Sequence, residues 1–443
     1  MTAEVPVSGQ PTPPSDEGRD AAQLGATPRD RLQRRTMRVL VASQILGGVG
    51  VGSGVAVVGL LAYELSGTAS LSGVSATAST LGAAAAALVI ARIAVARGRR
   101  PSLVTGYLVG GVGAALAIVA AVLGAFWLHV LASTAFGWAS ASNLQARYAA
   151  TDLARPARRA RSLSTIVWAT TIGAVAGPNL TGPGEAVSAV FGLPPLAGAY
   201  LFSLVSFVGA AALQLVFLRP DPLVVAAHAM EGRDPAVPAV ATTGWASLRE
   251  AARTIRRVPE TLVAVLAITA AHAVMVGIMV MTPVHMEDNG AALQLVGITI
   301  SLHIAGMYAL SPVMGALADR FGRRNVVLFG LAQLAVAAAL AATGDPTGSV
   351  WFQGGLVLLG TGWSACLIAG SAWLTDAVET ADRPAVQGAS DLAMNLAGGV
   401  GGTLAGVVLA VAGYPALSFG ALLLLIPATV GALRLGGDRT GPR

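Results

Sequence analysis

Six of the ten methionines and three of the five histidines fall between His272 and Met314, about a tenth of the 443-residue chain. Their spacing is ordered. His272, Met275 and Met279 stand at i, i+3 and i+7, and His303 and Met307 at i and i+4. On helices, each set shares one face. Thioether and imidazole are soft and intermediate donors that bring no charge with them, a pairing that suits Cu(I) and suits hard cations poorly. The same residues also read as packing, because methionine is an ordinary filler of apolar faces. Met281 offers a second register for the second methionine, and His272 reads equally as an interhelical hydrogen-bonding residue.

The elements that must position these side chains are membrane helices. The chain is 54% hydrophobic and 11% charged, against about 25% charged in a soluble domain. Lipid is therefore the solvent, and apolar runs must satisfy their backbone hydrogen bonds as helices. Twelve segments reach the roughly 20 residues that a bilayer requires. They lie near 38–62, 70–93, 102–123, 126–149, 162–179, 197–218, 260–283, 294–317, 325–343, 350–375, 387–411 and 414–435. At ~1.5 Å per residue, Met275 and His303 both come near the bilayer centre.

All 28 basic residues are arginine. They follow segments two, four, six, eight and ten or lie in the tails, apart from Arg147 at the inner end of segment four, and the intervening loops carry none. Positive charge stays in the cytoplasm, which places both termini inside a cytoplasmic membrane. The expected organisation is a disordered cytoplasmic tail over 1–37, a six-helix half over 38–219, and a cytoplasmic linker over 220–259. A second six-helix half over 260–436 and a short tail over 437–443 complete it. Within the linker, Ser247 to Arg257 reads as a basic amphipathic helix on the inner leaflet.

The turn after segment eight runs Gly315-Ala-Leu-Ala-Asp319-Arg320-Phe-Gly322-Arg323-Arg324. It resembles the loop signature of the major facilitator superfamily. That resemblance implies an all-α fold of twelve transmembrane helices in two six-helix halves, with a small solute held near the midplane. Ala91 to Arg100 repeats the turn in the first half, with Val95 where Asp319 stands. Asp319 is expected to steady the arrangement closed on the inside. Met275, Met279, His303 and Met307 also match a copper-importing branch of the superfamily, linked to cytochrome oxidase assembly. The resemblance implies that these four are the metal ligands and that copper is taken inward; His272, on the face of Met275, is a further substrate-binding candidate by its spacing. His285, Met286, Glu287 and Asp288 would gather metal at the outer mouth, or form a plain solvated loop.

Segment five carries Gly173, Gly177 and Pro178 in a pattern that resembles the glycine–proline motif of drug/proton antiporters. The glycines would let the two halves approach, and Pro178 would kink the helix. No Asp or Glu lies at the centre of a span. Glu64, Asp376 and Asp391 lie near ends, which weighs against proton-coupled efflux of cationic drugs. Efflux of hydrophobic drugs or metabolites is the alternative function. The chain has no lysine and so no Gly-x-x-x-x-Gly-Lys loop. No enzyme activity, cofactor or nucleic-acid partner is expected, and the working unit is expected to be a monomer in the lipid bilayer. The single cysteine, Cys366, reads as a buried thiol.

Overall fold

Long apolar runs with frequent glycine and alanine can only form helices that pack closely in lipid. The computed structural model describes residues 27–228 and 245–435, and every regular element among them is helical. The first half holds α1 (Pro28–Ser66), α2 (Ala69–Arg97), α3 (Arg99–Leu123), α4 (Phe126–Ala149), α5 (Arg159–Asn179), α6 (Thr181–Val190) and α7 (Ala197–Phe217). Two short helices follow, α8 (Pro222–His228) and α9 (Trp245–Arg257). The second half holds α10 (Pro259–Asp288), α11 (Leu293–Tyr308), α12 (Ser311–Phe321), α13 (Arg323–Thr343), α14 (Val350–Ala377) and α15 (Arg383–Arg434).

Twelve crossings result. Among the described residues, nine helices are long and apolar enough to cross a membrane. One of them, α15, carries two crossings, because Gly413 (φ 80°, ψ 171°) breaks it into two arms. The remaining two are α4 and α5, which carry polar residues of the central cavity: Ser140, Asn143, Arg147 and Thr170. The crossing near 294–317 is split between α11 and α12.

One boundary differs from expectation. Helix α1 already begins at Pro28, with Asp30 N donating to the Thr27 hydroxyl at 3.2 Å, so residues 28–37 are helix rather than tail. Residues 1–26, 229–244 and 436–443 lie outside the described residues. Helix α9 stands where the amphipathic helix was expected. Its Ala251 and Ile255, one turn apart, are buried against Val265, Leu374, Val378 and Val386 of the second half.

The glycines of segment five do something other than expected. A Cβ on Gly173 would strike the backbone of Gly48, and one on Gly177 would lie 2.5 Å from the Gly52 backbone. These four glycines press α5 onto α1 with no side chain between them. Both helices belong to the first half, so the motif packs that half internally rather than joining the two halves. Pro178 stands where α5 gives way to α6, and Leu180 N donates to Gly177 O at 3.0 Å.

The halves meet most closely at the arginine-bearing end, along α5–α12 and α2–α15. Each crossing turns on one glycine. A Cβ on Gly315 would lie 2.8 Å from Ala160 O and would also strike Ser164. A Cβ on Gly388 would lie 3.0 Å from Ala87 O and would also strike Ala91. Gly315 belongs to the signature turn; Gly388 carries no sequence signal.

Candidate functional site

Gly322 (φ +90°) lets the chain reverse between α12 and α13, a backbone conformation that favours glycine. Asp319, 6% exposed, then reaches across to the other half. Its two oxygens accept from Ala160 N at 3.2 Å and Arg161 N at 3.0 Å, the free amides of the α5 N-terminus. A carboxylate there complements both unsatisfied N–H groups and the helix dipole. Arg323 bonds Asp319 at 2.8 Å, Asp376 at 3.1 Å and Pro156 O at 2.6 Å. Arg159 meets the other oxygen of Asp376 at 2.5 Å. Arg324 caps the end of α15 through Ala432 O at 2.5 Å and Leu433 O at 3.2 Å, and Arg320 lies over the Phe321 ring.

The repeat in the first half is wired differently. Gly98 (φ +92°) makes the same reversal. Arg99 holds Asp152 through two bonds of 2.9 and 3.3 Å and reaches Gln387 of α15 at 2.7 Å. Val95 supplies no acid, and Arg100 N instead donates to Asp221, from the chain beyond α7, at 2.7 Å.

Deeper between the halves lies a second ion pair. Arg147 of α4 donates to Asp391 of α15 at 2.5 Å, and both side chains are 1% exposed. The guanidinium also reaches Leu144 O, Ser371 and the Tyr148 hydroxyl and lies over the Tyr148 ring. The second Asp391 oxygen has no partner. Sequence reasoning placed Asp391 near a span end and Arg147 at an inner helix end. With 244 positions between them, no local pattern could pair them.

A cavity of about 290 Å³ lies between the halves. Its two walls differ in chemistry. From α1, α4 and α5 the first half contributes Gln44, Ser140, Asn143, Arg147 and Thr170, with apolar residues between them. From α10, α11, α14 and α15 the second half contributes His272, Met275, Met307, Tyr308, Trp363 and Met394. Trp363 Nε1 donates to His272 Nδ1 at 3.0 Å, and Tyr308 meets the Trp363 ring edge-on at 5.8 Å. The second wall is therefore an aromatic and thioether surface.

The expected copper set is divided. Met275 and Met307 line this cavity, as does His272, so part of the set does reach a shared space. His303 is 1% exposed, with Nδ1 bonded to Leu356 O of α14 at 2.8 Å, and is not part of the cavity wall. Met279 packs against the apolar core of the second half. A shared helix stripe spans too wide an arc to fix where each member points: one edge faces the cavity while the other faces α14. Cys366 is buried beside Val327 O and takes no part. At the C-terminal end of α10, His285 stacks on Tyr414 with ring centroids 4.2 Å apart, and Met286 is fully buried. These two are packed elements rather than an open, solvated loop.

Two half-bundles enclosing a cavity between them are the architecture of a secondary transporter. The chain belongs to the major facilitator superfamily, whose family model matches residues 39–290 and 264–442. It is 38% identical over 405 residues to an uncharacterized MFS-type transporter, YddS, of Bacillus subtilis, covering 91% of this chain and 92% of that one. It is 29% identical over 363 residues to the riboflavin transporter RfnT of Brucella anthropi, covering 82% and 85%. Among solved structures it resembles the human organic anion transporter MFSD10, with a TM-score of 0.70 at 15% identity over 90% of this chain and 99% of that one.

Proposed function

We propose that the chain carries a small, planar organic solute with a polar edge across the cytoplasmic membrane, by rocking its halves about the central cavity. In this reading both termini are cytoplasmic, because the arginines gather at the end where the described residues begin and stop, and a monomer is the working unit. The observation that carries the reading is the division of the cavity into an aromatic–thioether wall and a polar wall. Such a pair of walls fits a ring system that stacks on one side and hydrogen-bonds on the other. The volume of about 290 Å³ sits at the low end of ligand pockets, roughly 300–1,000 Å³, so a few fused rings fill it. The relative described as a riboflavin transporter names one molecule of this class, and riboflavin is the first solute to try.

Copper import through Met275, Met279, His303 and Met307 is the second reading. The placement of Met275 and Met307 at the cavity favours it. The absence of His303 from the cavity wall and the acceptance by His272 Nδ1 of the Trp363 N–H weigh against it. Efflux is the alternative in direction, and the buried Asp391 supplies the carboxylate that a proton-coupled cycle would use.

The test is uptake into proteoliposomes of riboflavin and, separately, of copper(I). Riboflavin accumulation that drops about tenfold or more in Trp363→Ala, with no copper accumulation, is the expected result. Copper uptake lost in both Met275→Leu and Met307→Leu, without riboflavin uptake, would reverse the order of the two readings.

A further inference from the structure

Resting on the solute class proposed above, we infer that Gln44 and Asn143 together read a neutral imide or lactam edge. Asn143 donates to the ring carbonyl, and Gln44 accepts from the adjacent N–H.

Gln44 is 3% exposed, lines the cavity, and donates through Nε2 to the Thr170 hydroxyl at 2.9 Å. Among the described residues, its Oε1 is buried with no partner. Buried acceptors are nearly always bonded, and an orphan requires a reason. Asn143 complements it. Its Oδ1 accepts from the Tyr107 hydroxyl at 2.7 Å, so the carbonyl end is engaged and the NH₂ end is left for the cavity. Gly47, three residues from Gln44, lets Asn143 and Tyr107 pack against α1: a Cβ there would lie 2.6 Å from Asn143 Oδ1 and from the Tyr107 hydroxyl. The two residues therefore hold one unpartnered acceptor and one donor group on the same wall.

The charged alternative is already occupied. All three nitrogens of Arg147 are engaged, with Ser371, Leu144 O, Tyr148 and Asp391. One N–H of that guanidinium is left over, but its charge is already neutralised by Asp391, so an organic anion gains little there. Recognition of the polar edge then falls to neutral amides, which match the C(=O)–N–H edge of uracil-like, pterin-like and flavin-like rings. A site built to hydrogen-bond an N–H strongly disfavours the analogue that lacks it.

The experiment compares riboflavin with its N3-methyl analogue, which keeps the rings and side chain but loses the imide proton. In proteoliposomes holding the unaltered chain, the analogue should compete for riboflavin uptake about tenfold less well, or worse. Gln44→Met keeps the length and loses the acceptor. It should weaken riboflavin about tenfold and treat the two flavins alike. Equal competition by the two flavins in the unaltered chain overturns the assignment while leaving the solute class intact, and that comparison needs no substitution to fold. Absence of any flavin uptake removes the solute class, and this assignment with it.

Discussion

The turns Gly98-Arg99-Arg100 and Gly322-Arg323-Arg324 do one job with different parts. In the second half an internal acid, Asp319, grips the free amides of α5 in the opposite half. In the first half Arg99 grips the Gln387 amide of α15 in the opposite half. The helix ends explain why the acid is dispensable in one place. Helix α5 starts at Arg159, so Ala160 and Arg161 offer N–H groups at its second and third positions. Helix α15 starts at Arg383, so its second position is Pro384, which has no N–H to give. An acid at Val95 would lack one of the two donors that Asp319 uses. The departure of the first turn from its repeat and the proline in the facing helix are thus one matched change.

Breaking the contact beneath both turns should cost most. Asp391→Ala leaves Arg147 as a lone buried charge, expected to destabilise the protein by ~3–5 kcal/mol, read as lower thermal stability in detergent. The double change Arg147→Met with Asp391→Leu should recover most of it, because well-packed apolar pairs often replace buried ion pairs at little cost. If the single change proves as stable as the parent chain, the pair is not the closure that the geometry describes.

The two turns can then be set against each other. Cys366 is buried and so silent, and Ser164→Cys places a thiol directly beneath Gly315 at the crossing of the halves. Asp319→Ala removes charge-assisted bonds worth about 1.5–3 kcal/mol each and should raise maleimide labelling at that thiol about tenfold or more. Gln387→Ala removes one bond from the other turn and should raise labelling only severalfold. Equal effects would mean that the turns are interchangeable. The smallest change should come from Val95→Asp, which is expected to alter labelling less than twofold on its own. It should lower labelling only when combined with Pro384→Ala, which restores the missing donor.

Much of this architecture was legible beforehand. Hydropathy supplied the crossings, and the arginines supplied their common end, because both signals are local and additive along the chain. The turn at Gly315–Arg324 pointed to the right superfamily. The cavity was half legible. Met275, Met307 and His272 reach it, but His303 sits on the same sequence stripe and turns to α14. Periodicity says which residues share a face and not what that face meets. The polar wall escaped notice because Gln44, Asn143 and Thr170 lie on three helices, each looking like an isolated polar residue in an apolar span. The role of Gly173 and Gly177 was misjudged for the same reason: a small-residue spacing announces close contact without naming the partner.

That contact has a mechanical meaning. Where Gly48 and Gly52 touch Gly173 and Gly177, main chain bears on main chain, and there are no rotamers to yield. Helices α1 and α5 must then travel as a single stiff blade. Gln44 rides on one and Thr170 on the other, so their hydrogen bond keeps its length while the blade swings. The solute's polar edge would be carried on a surface that does not deform, and the adjustments of each transport cycle would fall to the softer wall of methionines across the cavity.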